Sequence, residues 1–94
     1  MLRATAEVAT ASASRYLQQL CKHFAHKIPT TFGPTEGTMT FPLGPVTLAA
    51  DGERLTLTVE AEDAARLAEL EDVVARHLVR FAFRETLAID WVAA

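Results

Sequence analysis

An alternation of apolar and polar residues through the middle of the chain constrains the fold more than any other feature. Residues 55–61 are apolar at odd positions and polar at even ones, which is the period of a strand with one buried face. Residues 38–41 and 46–48 repeat the pattern. Turn-forming residues separate these segments, namely Pro42, Gly44-Pro45 and the hairpin signal Asp51-Gly52. Consecutive hairpins predict an antiparallel sheet.

Two segments with helical periodicity lie on either side of this run. The first helix should extend from about Ala11 to His26, because the following Pro29 disfavours a helical conformation in the residue before it. The second should begin after the capping residue Asp63 and reach about Phe83. Its core stripe consists of residues spaced three or four apart: Leu67, Leu70, Val74, Leu78 and Phe81.

The segments near the two ends complete the expected sheet. Residues 2–8 and 87–91 alternate like strands, whereas residues 30–35, which surround Gly33-Pro34, are predicted to form a loop. The expected element order is β-α-β-β-β-α-β. We expect a single domain, residues 1–94, of the α+β class: a two-layer sandwich in which an antiparallel sheet of four or five strands carries two helices on one face.

Composition narrows the class of protein. The 50% of hydrophobic and 22% of charged residues are typical of a packed domain and not of a disordered chain. The formal charge of −3 argues against nucleic acid as a partner, because phosphate binding needs a basic face.

No run approaches the roughly 20 apolar residues that cross a bilayer, and the first residues lack the apolar core of a signal peptide. With a single cysteine, which suits a reducing compartment, we expect a cytoplasmic protein with neither nucleic acid nor membrane as partner.

The first predicted helix contains the only cysteine and two of the three histidines. At about 100° per residue, Cys21 lies on the same side as Leu17 and Leu20, whereas His23 is about 160° and His26 about 140° away from it. Cys21 is therefore predicted to be a core residue that cannot share a metal with either imidazole. His23 and His26 form a pair on the outer face and are weak metal candidates, because zinc needs three or four ligands. The alternative is that both are solvated and have no special role.

His77 lies among the core stripe of the second helix in projection. We expect a partly buried imidazole whose N–H finds a backbone carbonyl or a carboxylate. The same helix is acidic in its first half and basic in its second. This distribution of charge complements the helix dipole, which is sufficient to explain it. A sharper hypothesis is that the basic C-terminal ends of both helices meet and bind an anion. The candidate ligand-binding residues are Lys22, His23, His26, Lys27, Arg80 and Arg84.

The chain contains none of the common short sequence motifs of enzymes. The chain contains no glycine-rich nucleotide-binding loop, no CxxC pair, no HExxH and no GxSxG. A nucleophilic Cys21 is not expected either, because a catalytic thiol must be accessible. We assign no catalytic residue and no cofactor, and we favour a binding protein over an enzyme.

Three motifs resemble those of a known family. They are Tyr16-Leu17-x-x-Leu20-Cys21-Lys22-His23-Phe24-x-His26-Lys27, His77-Leu78-x-Arg80-Phe81 and Arg84-Glu85-x-Leu87-x-Ile89-x-Trp91. In these positions the chain resembles the bacterial family called domain of unknown function 2218, over nearly its whole length. The resemblance implies a small domain that occurs alone or in association with siderophore-interacting flavin reductases, and hence a link to iron acquisition. It implies no catalytic residue.

The leading hypothesis is a small, non-enzymatic, cytoplasmic binding or accessory module in bacterial iron or siderophore handling, with its His/Lys/Arg face for an anionic or metal-bearing ligand. The main alternative is a protein interaction module that uses the exposed sheet face or an edge strand. That face is expected to be polar but little charged, with Thr38, Thr40, Thr47, Thr56 and Thr58. A metal-dependent enzyme is a distant third, because it requires a carboxylate at His77.

Overall fold

The computed structural model describes residues 1–94 and confirms the α+β class. Its elements are β1 (Leu2–Ala9), α1 (Ala13–Phe24), β2 (Thr30–Phe32), β3 (Glu36–Phe41), β4 (Gly44–Ala50), β5 (Arg54–Ala61), α2 (Ala64–Phe81) and β6 (Val92–Ala93). The strands form one sheet in the order β2-β3-β4-β5-β1-β6, in which every neighbouring pair is antiparallel. Both helices pack on one face of the sheet. Neither helix is long and apolar enough to cross a membrane.

The sheet has six strands, where the alternation predicts four or five. The additional strand is β2, which lies in the segment predicted to be a loop and pairs with β3 from Thr30 opposite Met39 to Phe32 opposite Gly37. It does not alternate in hydropathy because it is an edge strand in which Thr31 and Phe32 are both exposed. An edge strand that buries no face leaves no periodic signal.

The alternation predicts the last strand at residues 87–91, but β6 is shorter and lies after that segment. Only Val92 and Ala93 pair with β1, whereas residues 87–91 are irregular. Leu87, Ile89 and Trp91 nevertheless pack against the core. Their alternation reflects an extended chain with one side on the core and not a hydrogen-bonded strand.

The core lies between the helices and the inner face of the sheet. The central strand β5 buries each of its apolar residues, as its alternation predicts. The outer face is polar, and five threonines stand in register across five strands: Thr31, Thr38, Thr47, Thr58 and Thr5. The face is polar, as predicted, but the expectation that it carries little charge is wrong for β1 and β5, where the ion pairs Arg3–Glu60 and Arg54–Glu7 lie on either side of the threonine row.

Local signals explain where the helices begin and end. The Asp63 carboxylate accepts a hydrogen bond of 2.8 Å from the backbone N–H of Arg66, which confirms it as the N-cap of α2. Helix α1 ends at Phe24, two residues earlier than predicted, and a turn carries His26 and Lys27 before Pro29. Helix α1 has 12 residues and α2 has 18.

Candidate functional site

Two histidines meet where the C-terminal parts of the helices converge. The ring centroids of His23 in α1 and His77 in α2 lie 5.1 Å apart. The ring of Phe81, in the last turn of α2, lies 5.7 Å from His23. The basic ends of the two helices thus come together, as the sharper of the two sequence hypotheses requires.

The position of His23 differs from the sequence prediction. The helical projection pairs it with His26 on an outward face, but His23 is half-buried between the helices and only His26 is exposed. His23 lies about 60° around α1 from the buried Leu20, and α2 packs along this flank. A projection of α1 alone cannot show that a second helix covers its side.

Aromatic rings hold both imidazoles in place. The buried Phe24 contacts His23 and His77 at centroid distances of 4.8 Å each, and Phe41 at 4.9 Å. These contacts are edge-to-face, the arrangement in which the positive edge of one ring meets the negative face of another. Phe24 therefore covers one side of the imidazole pair, and both imidazoles are half-buried.

A backbone hydrogen bond sets the tautomer of His77. Its Nδ1 lies 2.7 Å from the carbonyl oxygen of Val73. Because a carbonyl only accepts, Nδ1 carries the proton, and in the neutral ring Nε2 keeps a lone pair. This confirms the predicted partly buried histidine bonded to a carbonyl.

The electrostatics of the site favour a neutral imidazole at His23. The pKa of His23 lies below its ordinary value, mainly because partial burial disfavours the imidazolium. Positive charge on His77, Lys27, Arg80 and His26 lowers the pKa further. His23 is therefore a lone-pair donor at neutral pH, surrounded by groups that attract anions.

The structure brings together most of the predicted ligand-binding residues. We call the group His23, His26, Lys27, His77 and Arg80 the helix-end site. Two other candidates are not among the charges that act on His23: Lys22 is exposed on α1, and the guanidinium of Arg84 lies 5.5 Å from the ring centre of Phe83. His26 does not join His23 and His77 as a third metal ligand, and no group of three histidine, cysteine or carboxylate side chains is placed to hold a metal ion.

Cys21 lies in the core, as predicted. It is fully buried, and burial raises the pKa of its thiol to about 11. It packs against Gly37 of β3, where a Cβ would lie only 2.9 Å from the cysteine Sγ. Cys21 takes no part in the helix-end site.

A second polar cluster escapes the sequence analysis. Glu85, in the turn after α2, accepts hydrogen bonds from the hydroxyls of Tyr16 and Thr10, the latter at 3.1 Å. The bond from Tyr16 raises the pKa of that phenol. Tyr16 lies on the buried side of α1, and because a buried hydroxyl needs a hydrogen-bond partner, the sequence indicates that such a partner exists. It does not identify Glu85 as that partner.

An open groove of about 700 Å³ lies along β2, β3 and β4. Its lining is mainly threonine, glycine and proline, and its only titratable side chain is Glu36. The groove is a feature of the sheet edge and does not include the histidines.

Comparisons with known proteins agree with this fold. Residues 5–92 match a family described as "Uncharacterized protein conserved in bacteria (DUF2218)". The chain is also similar to an NMR structure of PA4090 from Pseudomonas aeruginosa, with a TM-score of 0.83 and 37% sequence identity over 98% of this chain and 96% of that chain. No curated protein matches the chain significantly. The chain therefore belongs to the DUF2218 family of uncharacterized bacterial proteins.

Proposed function

We propose that this protein is a small binding module whose helix-end site takes an anionic, metal-bearing ligand. The observation behind the proposal is the approach of His23 and His77 to a ring distance of 5.1 Å beside Lys27 and Arg80. Imidazole nitrogens bind borderline metals at about 2.0–2.1 Å. The cationic side chains attract negative charge.

A metal complex fits this site better than a bare ion. Two imidazoles fall short of the three or four protein ligands of a zinc site, and a free cation would be repelled by Lys27 and Arg80. A bare anion would leave both imidazole lone pairs unused. A metal complex whose own ligands carry negative charge can use both the imidazoles and the cations. Open coordination positions of the metal accept the imidazole nitrogens, and the negatively charged ligands contact Lys27 and Arg80.

The proposed setting is iron or siderophore handling in the bacterial cytoplasm. The family resemblance implies an association with siderophore-interacting flavin reductases, and ferric complexes of siderophores often carry negative charge. We propose binding and not catalysis, since the Nδ1 of His77 is bonded to the backbone carbonyl of Val73 and not to a carboxylate.

A second candidate function is protein interaction through the outer sheet face. The in-register threonines support it, because they extend across five strands without a charge and end beside the exposed Val92 of β6. Changing Thr47 and Thr58 to lysine would prevent such an association and leave ligand binding at the helix-end site intact.

Calorimetric titration tests the leading proposal. The probes are gallium(III) complexes of citrate and of a hydroxamate and a catecholate siderophore that leave coordination positions open at the metal, each chelator without metal, and Zn²⁺ alone. We expect at least one complex to bind more than about tenfold tighter than its parts, a difference of about 1.4 kcal/mol.

Substitutions test whether the ligand binds at the helix-end site. His23→Ala, His77→Ala and Arg80→Ala should each weaken it, whereas Arg54→Ala, on the opposite face beside Glu7, should not. Absence of heat with every probe contradicts the proposal, and so does unchanged affinity in the histidine variants.

A further inference from the structure

His23 and His77 each present a ring nitrogen that no other group in the chain uses. The Nδ1 of His77 is bonded to the carbonyl oxygen of Val73. The Nε2 of His77 and both nitrogens of His23 make no hydrogen bond. Because every buried side-chain nitrogen of the protein has a hydrogen-bond partner, these unpaired nitrogens must be accessible to water. Both imidazoles are therefore free to bind a ligand that enters from solvent.

The spacing of the two rings favours one arrangement around a shared metal ion. A metal lies about 2.0–2.1 Å from a bound imidazole nitrogen, and hence about 3.2 Å from the centre of the ring. Two ring centres are then about 4.5 Å apart at adjacent octahedral positions, about 5.2 Å apart at tetrahedral positions and about 6.4 Å apart at opposite positions. The observed 5.1 Å lies between the first two values and is about 1.3 Å too short for the third.

Packing keeps the two rings at this spacing. Phe24 is only 5% exposed and contacts both imidazoles, each at a centroid distance of 4.8 Å. The hydrogen bond of 2.7 Å to Val73 holds the ring of His77 against α2. Opposite positions would require the rings to separate until the whole complex fits between them. The two helices would then have to part, although their apolar residues share one close-packed core.

We infer that His23 and His77 bind one metal ion together, at two adjacent coordination positions. The inference rests on the proposed function and names the class of ligand. The ligand is an anionic complex whose chelator fills four positions of an octahedral metal and leaves two neighbouring positions to water. On binding, the two imidazole nitrogens replace the two water molecules, and the chelator stays on the metal.

The same geometry excludes two other classes of metal complex. A metalloporphyrin leaves only opposite positions open, so a single imidazole could reach its metal. A chelator that fills all six positions leaves none for either histidine. The exposed cations Lys27 and Arg80 form no ion pair within the chain and are free to contact a negatively charged chelator.

Three anionic probes that differ in their open positions test the arrangement by calorimetry. Nickel(II) nitrilotriacetate leaves two adjacent positions, iron(III) protoporphyrin leaves two opposite ones, and nickel(II) ethylenediaminetetraacetate leaves none. We expect one nitrilotriacetate complex to bind per chain, at least about tenfold tighter than either of the other probes. Equal or tighter binding of the porphyrin or of the closed complex overturns the inference, and so does a ratio of two nickel ions per chain.

Substitutions test whether both histidines act on the same metal. His23→Ala and His77→Ala should each weaken nickel nitrilotriacetate by more than about tenfold, because a single imidazole loses the advantage of two linked ligands. Arg54→Ala, beside Glu7 on the outer sheet face, should leave the affinity unchanged, and amide spectra establish that each variant is folded. Unchanged affinity in either folded histidine variant overturns the inference.

X-ray absorption of the wild-type complex needs no variant. It should show two imidazole rings on each nickel ion, and one ring or none overturns the inference. A gallium(III) siderophore complex that binds where nickel nitrilotriacetate does not would overturn the adjacent arrangement and leave the proposed function intact. Absence of binding by every metal complex contradicts the proposed function itself, and the inference with it.

Discussion

His23 combines two properties at the scale of a single residue: its ring is neutral, and cationic side chains surround it. The unfolded chain binds a proton at this histidine more readily than the folded chain, because the folded-state pKa is lowered. His23 therefore contributes stability above the ordinary pKa of 6.5, and this contribution decreases as pH falls from there toward the folded-state pKa.

Imidazole NMR titration measures this shift directly. The midpoint for His23 should lie below 6.5, and His77→Ala should raise it by exposing the ring and removing a neighbouring charge. His23→Gln should reduce the loss of unfolding free energy between pH 7.5 and 5.5. A His23 midpoint at or above 6.5 in the wild-type protein would contradict the geometry of the helix-end site.

The contact between Cys21 and Gly37 makes a second prediction at this scale. Gly37→Ala should destabilise the fold by about 1–3 kcal/mol, as overpacking does, since its Cβ would lie 2.9 Å from the Sγ of Cys21. Cys21→Ala removes that sulfur, so the double variant should be less destabilised than the sum of the single ones. Urea unfolding of the four proteins measures the coupling, and strict additivity would show that the two side chains do not meet.

Periodicity predicts single residues well when one neighbour determines their environment. Cys21 and His77 are examples, because each lies on the core stripe of its own helix. His23 is a counter-example, since its burial depends on a helix some 50 residues away in the chain. The pair of His23 and His77 therefore emerges only from the packed structure.

At the scale of elements, the turn between β3 and β4 depends on close backbone contact. Gly44 has a φ of +155°, and a Cβ there would lie 1.8 Å from the carbonyl oxygen of Glu60 in β5. We expect Gly44→Ala to cost more than about 3 kcal/mol, because both the backbone conformation and the sheet must be distorted.

Gly52 in the next turn provides a matched control. Nothing lies within 4 Å of a Cβ at that position, so Gly52→Ala should change the unfolding free energy by no more than about 1 kcal/mol. Thermal and urea unfolding compare the two variants. Equal stability of both would mean that β4 does not begin against β5 as described.

The elements themselves vary in how far the sequence predicts them. The strands that bury one face, from β3 to β5, follow from alternation and turn residues, and α2 follows from its cap and its stripe. β2 buries no face and leaves no pattern. The hydrogen bond between Tyr16 and Glu85 anchors residues 82–86 to α1. It cannot be predicted from the local sequence either, because the two residues are 69 positions apart.

The whole molecule determines whether a ligand site exists. Two helices on one face of an antiparallel sheet are expected from the order of elements, but their relative direction and contact are not. The structure brings their C-terminal parts together, so that half-buried imidazoles and exposed cations share one surface. This convergence is the basis of the proposed binding function.

Chemical-shift mapping of the wild-type protein is the most direct test of that function. Gallium(III) siderophore complexes are diamagnetic and leave the amide and imidazole signals visible. The account predicts shifts centred on His23, His77, Lys27 and Arg80, with none for the threonines of the outer sheet face. Shifts confined to the sheet, or no shifts with any complex at millimolar concentration, would contradict it.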